Sequence, residues 1–492
     1  MVRRASVTVY LSLTLVVTLS LIFTMLEGLR YRGLALDCNR MARSAADSAF
    51  GEYQRELLER YDLFLVDGAY AGEDFDISRL VSRMEYFAYE NSAAGRDDGG
   101  VDFYALTPCG VTAGGYQLAT DDGGAPYYNM ACRYMEGSLA VTALKQLING
   151  SGDLAESADG GDMEDKLTEA GEAVSSVGEE GTVMEEEDGS VTEEEKAAVE
   201  QVTDEEKGVL DTVGELLNKG ILSLVTDEAS ISDKAIDADD VVSARSLCAG
   251  TYEEEDREGG AAGRIVFQAY LGEKFACFAR EGDDSALDYE MEYVFAGKDS
   301  DVKNLTAVVE SLLAIREAVN FAYICTDKEK VSKARVIALA IAGILAVPTL
   351  VEAVTLGVLA AWSVVESIND VRTLMDGGKV APIKTAATWK TSVTGQASSS
   401  GGDDKGLTYE QYLQLLLYGR SVKSLTMRSL DLIELNVNCE EYCENVRMDH
   451  CVSALEWTAE YEGGPMFLNL LGAVDGSFGE YLFTASGNFK YQ

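Results

Sequence analysis

The sequence predicts an α+β protein carried on an N-terminal transmembrane helix. Three observations lead there. Residues 5–26 form an apolar run without a charge. Helical and strand-like periodicities interleave along the rest of the chain without a regular βαβ period. Finally, 84 Asp and Glu stand against 40 Lys and Arg. The 492 residues, 47% of them hydrophobic, are enough for one large or two medium domains beyond the helix. A net charge of −44 repels nucleic acid, so nucleic-acid binding is excluded and a solvated outer surface is favoured.

Taken in order, residues 1–4 form a short basic tail and residues 5–26 the transmembrane helix. A helix of about twenty residues at roughly 1.5 Å each matches a hydrocarbon core of about 30 Å. A cleaved signal would be shorter and end in small residues, whereas this run ends in Met25, Leu26 and Glu27. A prepilin-type glutamate early in the run is replaced by Tyr10. The helix therefore reads as an uncleaved anchor. Arg3 and Arg4 precede it and Arg30, Arg32, Arg40 and Arg43 follow it, so basic residues alone do not orient it. The short flank and the long acidic remainder place the tail in the cytoplasm and the bulk of the chain outside the cell.

Residues 27–66 read as an amphipathic helical stalk, with Leu34, Cys38, Met41, Ala45, Ala49, Tyr53, Leu57, Tyr61 and Phe64 at three- and four-residue steps. Such a stripe needs a partner, either the protein's own head or neighbouring rods. Residues 67–150 begin the mixed head; in the Gly-, Asp- and Tyr-rich part up to Asn129, VDFYAL and GYQLAT suggest strands between turns. Residues 151–206 are Gly-rich and acidic, and their composition predicts a flexible insert. No stretch there fits a calcium-loop spacing.

Residues 207–385 continue the head. LDYEMEYVFAGK alternates at Tyr289, Met291, Tyr293 and Phe295 as a strand would, and Val308, Leu312, Ile315, Val319 and Ala322 follow at helical spacing. The apolar region 336–365 is interrupted by Pro348 and Glu352, which leaves two pieces too short to span. It is expected as a buried helix pair kinked at Pro348, with Glu352 satisfied in or near the protein interior. A single kinked span would instead put everything after about Asp370 in the cytoplasm. Residues 386–406 read as a Gly/Ser linker. Residues 407–492 read as two helices, LTYEQYLQLLLYG and SVKSLTMRSLDLIELNVN, and two strands, CVSALEWTAEYE and EYLFTASGNFKYQ.

Chemistry-bearing patterns are sparse. With one histidine and no G-x-S-x-G, H-E-x-x-H or Walker loop, no catalytic residue is assigned and no enzyme is expected. NCEEYCENVRMDHC gathers Cys439, Cys443, His450 and Cys451. The first two could share a helix face, but C-x₃-C is not knuckle spacing and adjacent His-Cys ligands need an unusual bend. Structural thiols or one disulfide are the simpler reading, so neither metal nor cofactor is expected. The odd count of nine cysteines leaves at least one outside any intramolecular pair.

Several stretches carry a resemblance: ASVTVYLSLTLVVTLSLIFTMLEGLR, AFGEYQRELLERYDLFLVD, YEMEYVFAGKDSDVKNL with LLAIREAVN, AAWSVVESINDVRTLMDGGKVAPIK, LTYEQYLQLLL and MRSLDLIELN. Together they resemble membrane-anchored proteins of Gram-positive bacteria encoded with the tight-adherence (Tad/Flp) pilus and its type II secretion-like machinery. The N-terminal part is similar to the pseudopilins TadE and TadG. The acidic insert and the cysteine stretch depart from that pattern. The resemblance implies a structural or accessory component of the pilus, partnered by the membrane and by other pilus or pseudopilin subunits through the N-terminal helix. The alternative is an anchored extracellular enzyme or binding protein acting on cell-wall polymers through carboxylates.

Overall fold

The computed structural model describes residues 2–70, 72–92, 103–150, 193–208, 210, 213, 220–227, 231–252, 255–280, 282, 285–343, 348–392, 394, 406–440, 443, 445–468 and 479–491. The fold is α+β. Its elements run α1 (Val2–Phe50), α2 (Arg55–Tyr61), β1 (Val66–Asp67), α3 (Ile77–Glu90), β2 (Leu106–Leu118), α4 (Asp121–Tyr134), α5 (Leu139–Gly150), α6 (Glu193–Val199), α7 (Asp204–Lys207), α8 (Ile221–Val225), α9 (Gly260–Lys274), α10 (Glu290–Ala296), α11 (Asp301–Thr326), α12 (Lys328–Ala342), α13 (Pro348–Met375), α14 (Tyr409–Tyr418), α15 (Val422–Asn438), β3 (Cys451–Gly463) and β4 (Tyr481–Lys490). The chain divides into two compact units. One comprises Met1–Tyr134, Ser246–Glu258 and Val437–Gln492; the other comprises Met135–Arg245 and Gly259–Asn436.

In the first unit an antiparallel sheet is built on β3. Strand β2 lines one edge of β3, from Leu106 opposite Gly463 to Leu118 opposite Val452. Strands β1 and β4 take successive stretches of the other edge. Along β3, Leu455, Trp457, Ala459 and Tyr461 are buried while Glu456 and Glu460 face solvent. That is the period-two alternation of a sheet covered on one face. The cover is α1 and α3. Leu34, Cys38, Met41, Ala45 and Ala49 of α1 join Leu80, Met84 and Ala88 of α3 over the buried face of β3. The alanines let α1 lie close to the sheet. Strand β4 runs alongside α1 for its whole length: the Tyr31 ring lies 5.2 Å from Tyr481, and the Phe50 ring stacks 4.1 Å from Phe489.

Helix α1 stops at Phe50. The Gly51 amide closes its last turn on the Asp47 carbonyl, and the chain turns before α2 begins at Arg55. The expected unbroken helix to Leu65 is therefore corrected. The periodicity continues across the break because both helices bury an apolar stripe, α2 with Leu57 and Tyr61. The stripe's partner between Leu34 and Phe50 is the protein's own sheet. Between residues 67 and 129 the expected strand at GYQLAT is present, since Gly115–Leu118 end β2, but two helices replace the strands and turns expected on either side of it. Leu80, Met84 and Ala88, four residues apart, define a helix capped by the Asp76 side chain on the Ser78 amide, and α4 follows β2. VDFYAL enters the sheet only at Leu106. Pro108 is tolerated because, among the described residues, no strand pairs with the outer edge of β2.

The second unit is helical. Helices α11, α12 and α13 pack around Ile324, Ala334, Ile337, Val358, Leu359 and Trp362. Asp327 ends α11 and caps α12, accepting from the Glu329 and Lys330 amides. Pro348 is the first residue of α13 and so starts a second helix, where a missing N–H leaves no helical bond unmade; this replaces the expected kink. Glu352 faces solvent, against the expectation that the interior would satisfy it.

The carboxylates that α13 does bury are Glu366 and Asp370, fully enclosed with Lys384 and Arg316. Lys384 donates to Glu366, and to Asp370 at 2.7 Å; Arg316 donates to Asp370 at 2.9 Å and to the Ala381 and Pro382 carbonyls. The amide and hydroxyl of Thr391 complete Glu366 at 2.7 and 2.6 Å. Two cations thus balance two carboxylates with nearly every valence used. Lys384→Met would leave a buried carboxylate without its cation and is expected to cost about 3–5 kcal/mol, read by denaturant unfolding of the purified protein.

LDYEMEYVFAGK forms helix α10, not a strand, and closes on Gly297 in the left-handed conformation (φ 65°). Its alternation misled because this short helix is buried on every side, carboxylates included. Glu290 accepts from the Ala276 amide at 2.7 Å and from Asn436; Glu292 accepts from the Tyr409 hydroxyl at 2.6 Å and the Phe278 amide at 2.9 Å. Burial, only partly offset by the Tyr409 and Phe278 bonds, raises the Glu292 carboxyl to about 7. A raised folded pKa means that stability is present at acid pH and is lost as pH rises through about 7. Glu292→Gln, which keeps an acceptor without the charge, is expected to raise the melting temperature at pH 8 and leave it nearly unchanged at pH 5.

Helices α14 and α15 and strands β3 and β4 fall where the periodicity placed them, α14 with a reciprocal cap between Thr408 and Gln411. The acidic-insert reading falls mainly on residues 151–192, outside the described residues. Its remainder contains α6 and α7, the latter with a capping box between Thr203 and Glu206. Most of the 386–406 linker also lies outside the described residues.

Candidate functional site

The first half of α1 is bare. Leu11, Val16 and Leu21 are each more than 60% exposed, and no described residue covers the most apolar stretch of the helix. Burial begins abruptly at Glu27, the first charged residue after the apolar run, and Arg30 one turn on; each is 3% exposed. Arg30 donates to Glu27 at 3.2 Å, to the Gly464 carbonyl at 2.7 Å and to the Phe103 carbonyl at 2.8 Å. The other Glu27 oxygen accepts from the amides of Met466 and Phe467, at 3.1 and 2.7 Å. One ion pair on α1 thus fastens two loops, residues 103–104 and 464–467, around the root of the apolar helix. The Phe467 ring lies 6.2 Å from Phe23 and 5.8 Å from Phe103. Tyr104 covers Gly33 so closely that a side chain there would collide with its ring. Periodicity missed this arrangement, although an i, i+3 pair directly after a charge-free span was its signal.

The four residues of the cysteine stretch are dispersed. Cys439 is exposed; Cys443 is buried and takes a 3.4 Å contact from the Gln54 amide; Cys451 opens β3 with its sulfur 3.3 Å from the Arg447 carbonyl. His450 is buried beside the Phe75 ring, and its neighbours with metal-binding atoms are Asp449 and Cys248, all within 4.8 Å of one another. Cys248 comes from a distant part of the sequence, which is why spacing could not suggest it. A thiolate, a carboxylate and an imidazole are a chemically sensible set for zinc. Asp449, however, is already held by Arg447 at 3.2 Å through each oxygen and by the Cys248 amide at 3.1 Å. A cation would have to displace that guanidinium.

In the second unit a concavity of about 530 Å³ is lined by Lys298, Asp299, Lys303 and Glu310, among others. Asp299 is bonded to Lys303 at 2.8 Å. This is a mixed-charge surface, unlike the isolated carboxylate pair that glycoside hydrolysis uses.

Fold and site together define an α+β protein whose N-terminal apolar helix is long enough to cross a membrane and continues directly into the core of its first unit. The profile of DUF5702, a family of unknown function, matches residues 199–463, and the chain belongs to that family. The match contains the buried ion network, Cys248, Asp449, His450 and strand β3; helix α1 precedes it. No curated protein and no solved structure matches the chain.

Because Arg447 and the Cys248 amide occupy Asp449, exhaustive chelation is expected to leave the melting temperature unchanged. A fall on chelation, restored by zinc and abolished in His450→Ala, would assign a cation to Cys248, Asp449 and His450.

Proposed function

We propose that the protein is a membrane-anchored accessory component of a tight-adherence pilus or a related type II secretion-like apparatus, with its bulk displayed outside the cell. The observation that carries this reading is the bare apolar half of α1, which is rigidly continuous with the helix at the core of the first unit. An exposed apolar surface of that length is not stable in water; a bilayer is the solvent that suits it. The sequence resemblance to TadE- and TadG-like proteins supplies the apparatus. The finer organisation follows from the same reading: residues 1–4 lie in the cytoplasm, residues 5–26 span once, and the acidic insert is displayed with the head. Exposed side chains of the span are available to pack against other subunits within the membrane.

On this reading the partner surface is sought within residues 5–26. Ala45 and Ala49, small residues of the kind that close helix packing uses, are 1% and 0% exposed inside the first unit and so are closed to a neighbouring rod. The decisive experiment combines deletion with labelling of intact cells. Deletion is expected to reduce surface pili. A membrane-impermeant maleimide is expected to reach the exposed Cys109 and Cys439. Unchanged piliation would remove the pilus assignment, and protection of both thiols until cells are lysed would remove the outward orientation.

A further inference from the structure

We infer that the two loops clasped by Glu27 and Arg30 form an aromatic collar that inserts into the outer leaflet of the lipid bilayer beside the spanning helix. The inference rests on the reading of residues 5–26 as a span and adds a second membrane contact to it. Depth carries the argument. Phe23 lies inside the charge-free run, about 6 Å before Glu27 along the helix at 1.5 Å per residue. The Phe467 amide is bonded to Glu27, and the Phe467 ring reaches back to Phe23. Its backbone is therefore level with the first charge of the helix, while its ring is on the hydrocarbon side. Phe103 is placed in the same way: its carbonyl accepts from Arg30 and its ring packs on Phe467. If Phe23 is in lipid, these rings are at the level where acyl chains meet headgroups.

The exposure and chemistry fit lipid as the occupant. Phe103 and Met466 are 42% and 37% exposed, next to the point where the bare part of the helix begins. Phenylalanine rings are favourable on the acyl side of the bilayer boundary because insertion removes their apolar surface from water. Nor does charge oppose insertion. The Glu27 carboxylate is neutralised by Arg30 and saturated by two amides, so it can approach the hydrocarbon edge without its own water. The collar would also fix the tilt and rotation of the helix, as interfacial anchors do.

The test uses the full-length protein reconstituted in phosphatidylcholine vesicles, with a diazirine-bearing phenylalanine replacing Phe23, Phe103, Phe467 or Asn488 one at a time. Asn488 is exposed on β4, about 23 Å from Tyr481 at 3.3 Å per residue, and serves as the aqueous control. Illumination is expected to give lipid adducts at positions 23, 103 and 467 and none at 488. Lipid adducts at 23 with none at 103 and 467 would overturn the collar while leaving the span intact. Adducts at 103 and 467 to protein alone would replace lipid with a neighbouring subunit and overturn it equally. No lipid adduct at 23 would remove the span and the collar together.

Discussion

The seating of α1 on the sheet fixes the first unit. Leu34, Cys38, Met41, Ala45 and Ala49 form one stripe against Leu455, Trp457, Ala459 and Tyr461 of β3, with α3 closing the side. Small residues on the helix and alternating large ones on the strand let the two surfaces approach closely, so the unit's core is a single helix-on-sheet layer. Because the same helix continues without a break toward its N-terminus, that packing also aims the bare apolar segment. The apolar segment and the core share one continuous helix.

The same helix has two kinds of surface, bare and apolar before Glu27 and packed after it, and the change between them is made within one turn. From Ala5 to Leu26 every side chain is apolar or a small hydroxyl residue or a single tyrosine, and threonines such as Thr14 and Thr24 bond back to carbonyls a turn earlier. From Glu27 onward the helix carries charge and acquires protein neighbours. The buried Glu27–Arg30 pair stands at the change and is tied to backbone groups of both clasped loops. The second apolar region solves a different problem. Helix α13 is apolar enough for a membrane, yet 61% of its most apolar stretch is buried, and it presents Glu366 and Asp370 to Lys384 and Arg316 in a buried core. Its hydrophobicity is explained by packing within the second unit, and its carboxylates by a neutral, saturated network.

How much of this was legible in the sequence follows from range. Local signals sufficed for the apolar helix, for α11, α14 and α15, and for β3 and β4, because three- and four-residue or alternating spacing reports which face is covered. They failed at α10, where Glu290 and Glu292 are buried beside Met291 and Tyr293, so alternation carried no information about faces. They failed again at Gly51, where two helices with apolar stripes in sequence imitate one. The clasp at Glu27 and the neighbours of His450 depend on contacts between residues hundreds of positions apart, Phe467 in one case and Cys248 in the other. No spacing rule reaches that far. Pro348 was visible as an interruption, but only the fold shows that it begins a helix.

The central claim is that the apolar segment and the core are one unbroken helix. Amide hydrogen exchange of the full-length protein in vesicles tests it most directly, followed peptide by peptide from the apolar run to Phe50. Continuous slow exchange through Gly28 and Gly33, ending at Gly51, is the expected result. A fast-exchanging break between Leu26 and Leu34 would show a hinged anchor joined to an independent head, and would contradict the account.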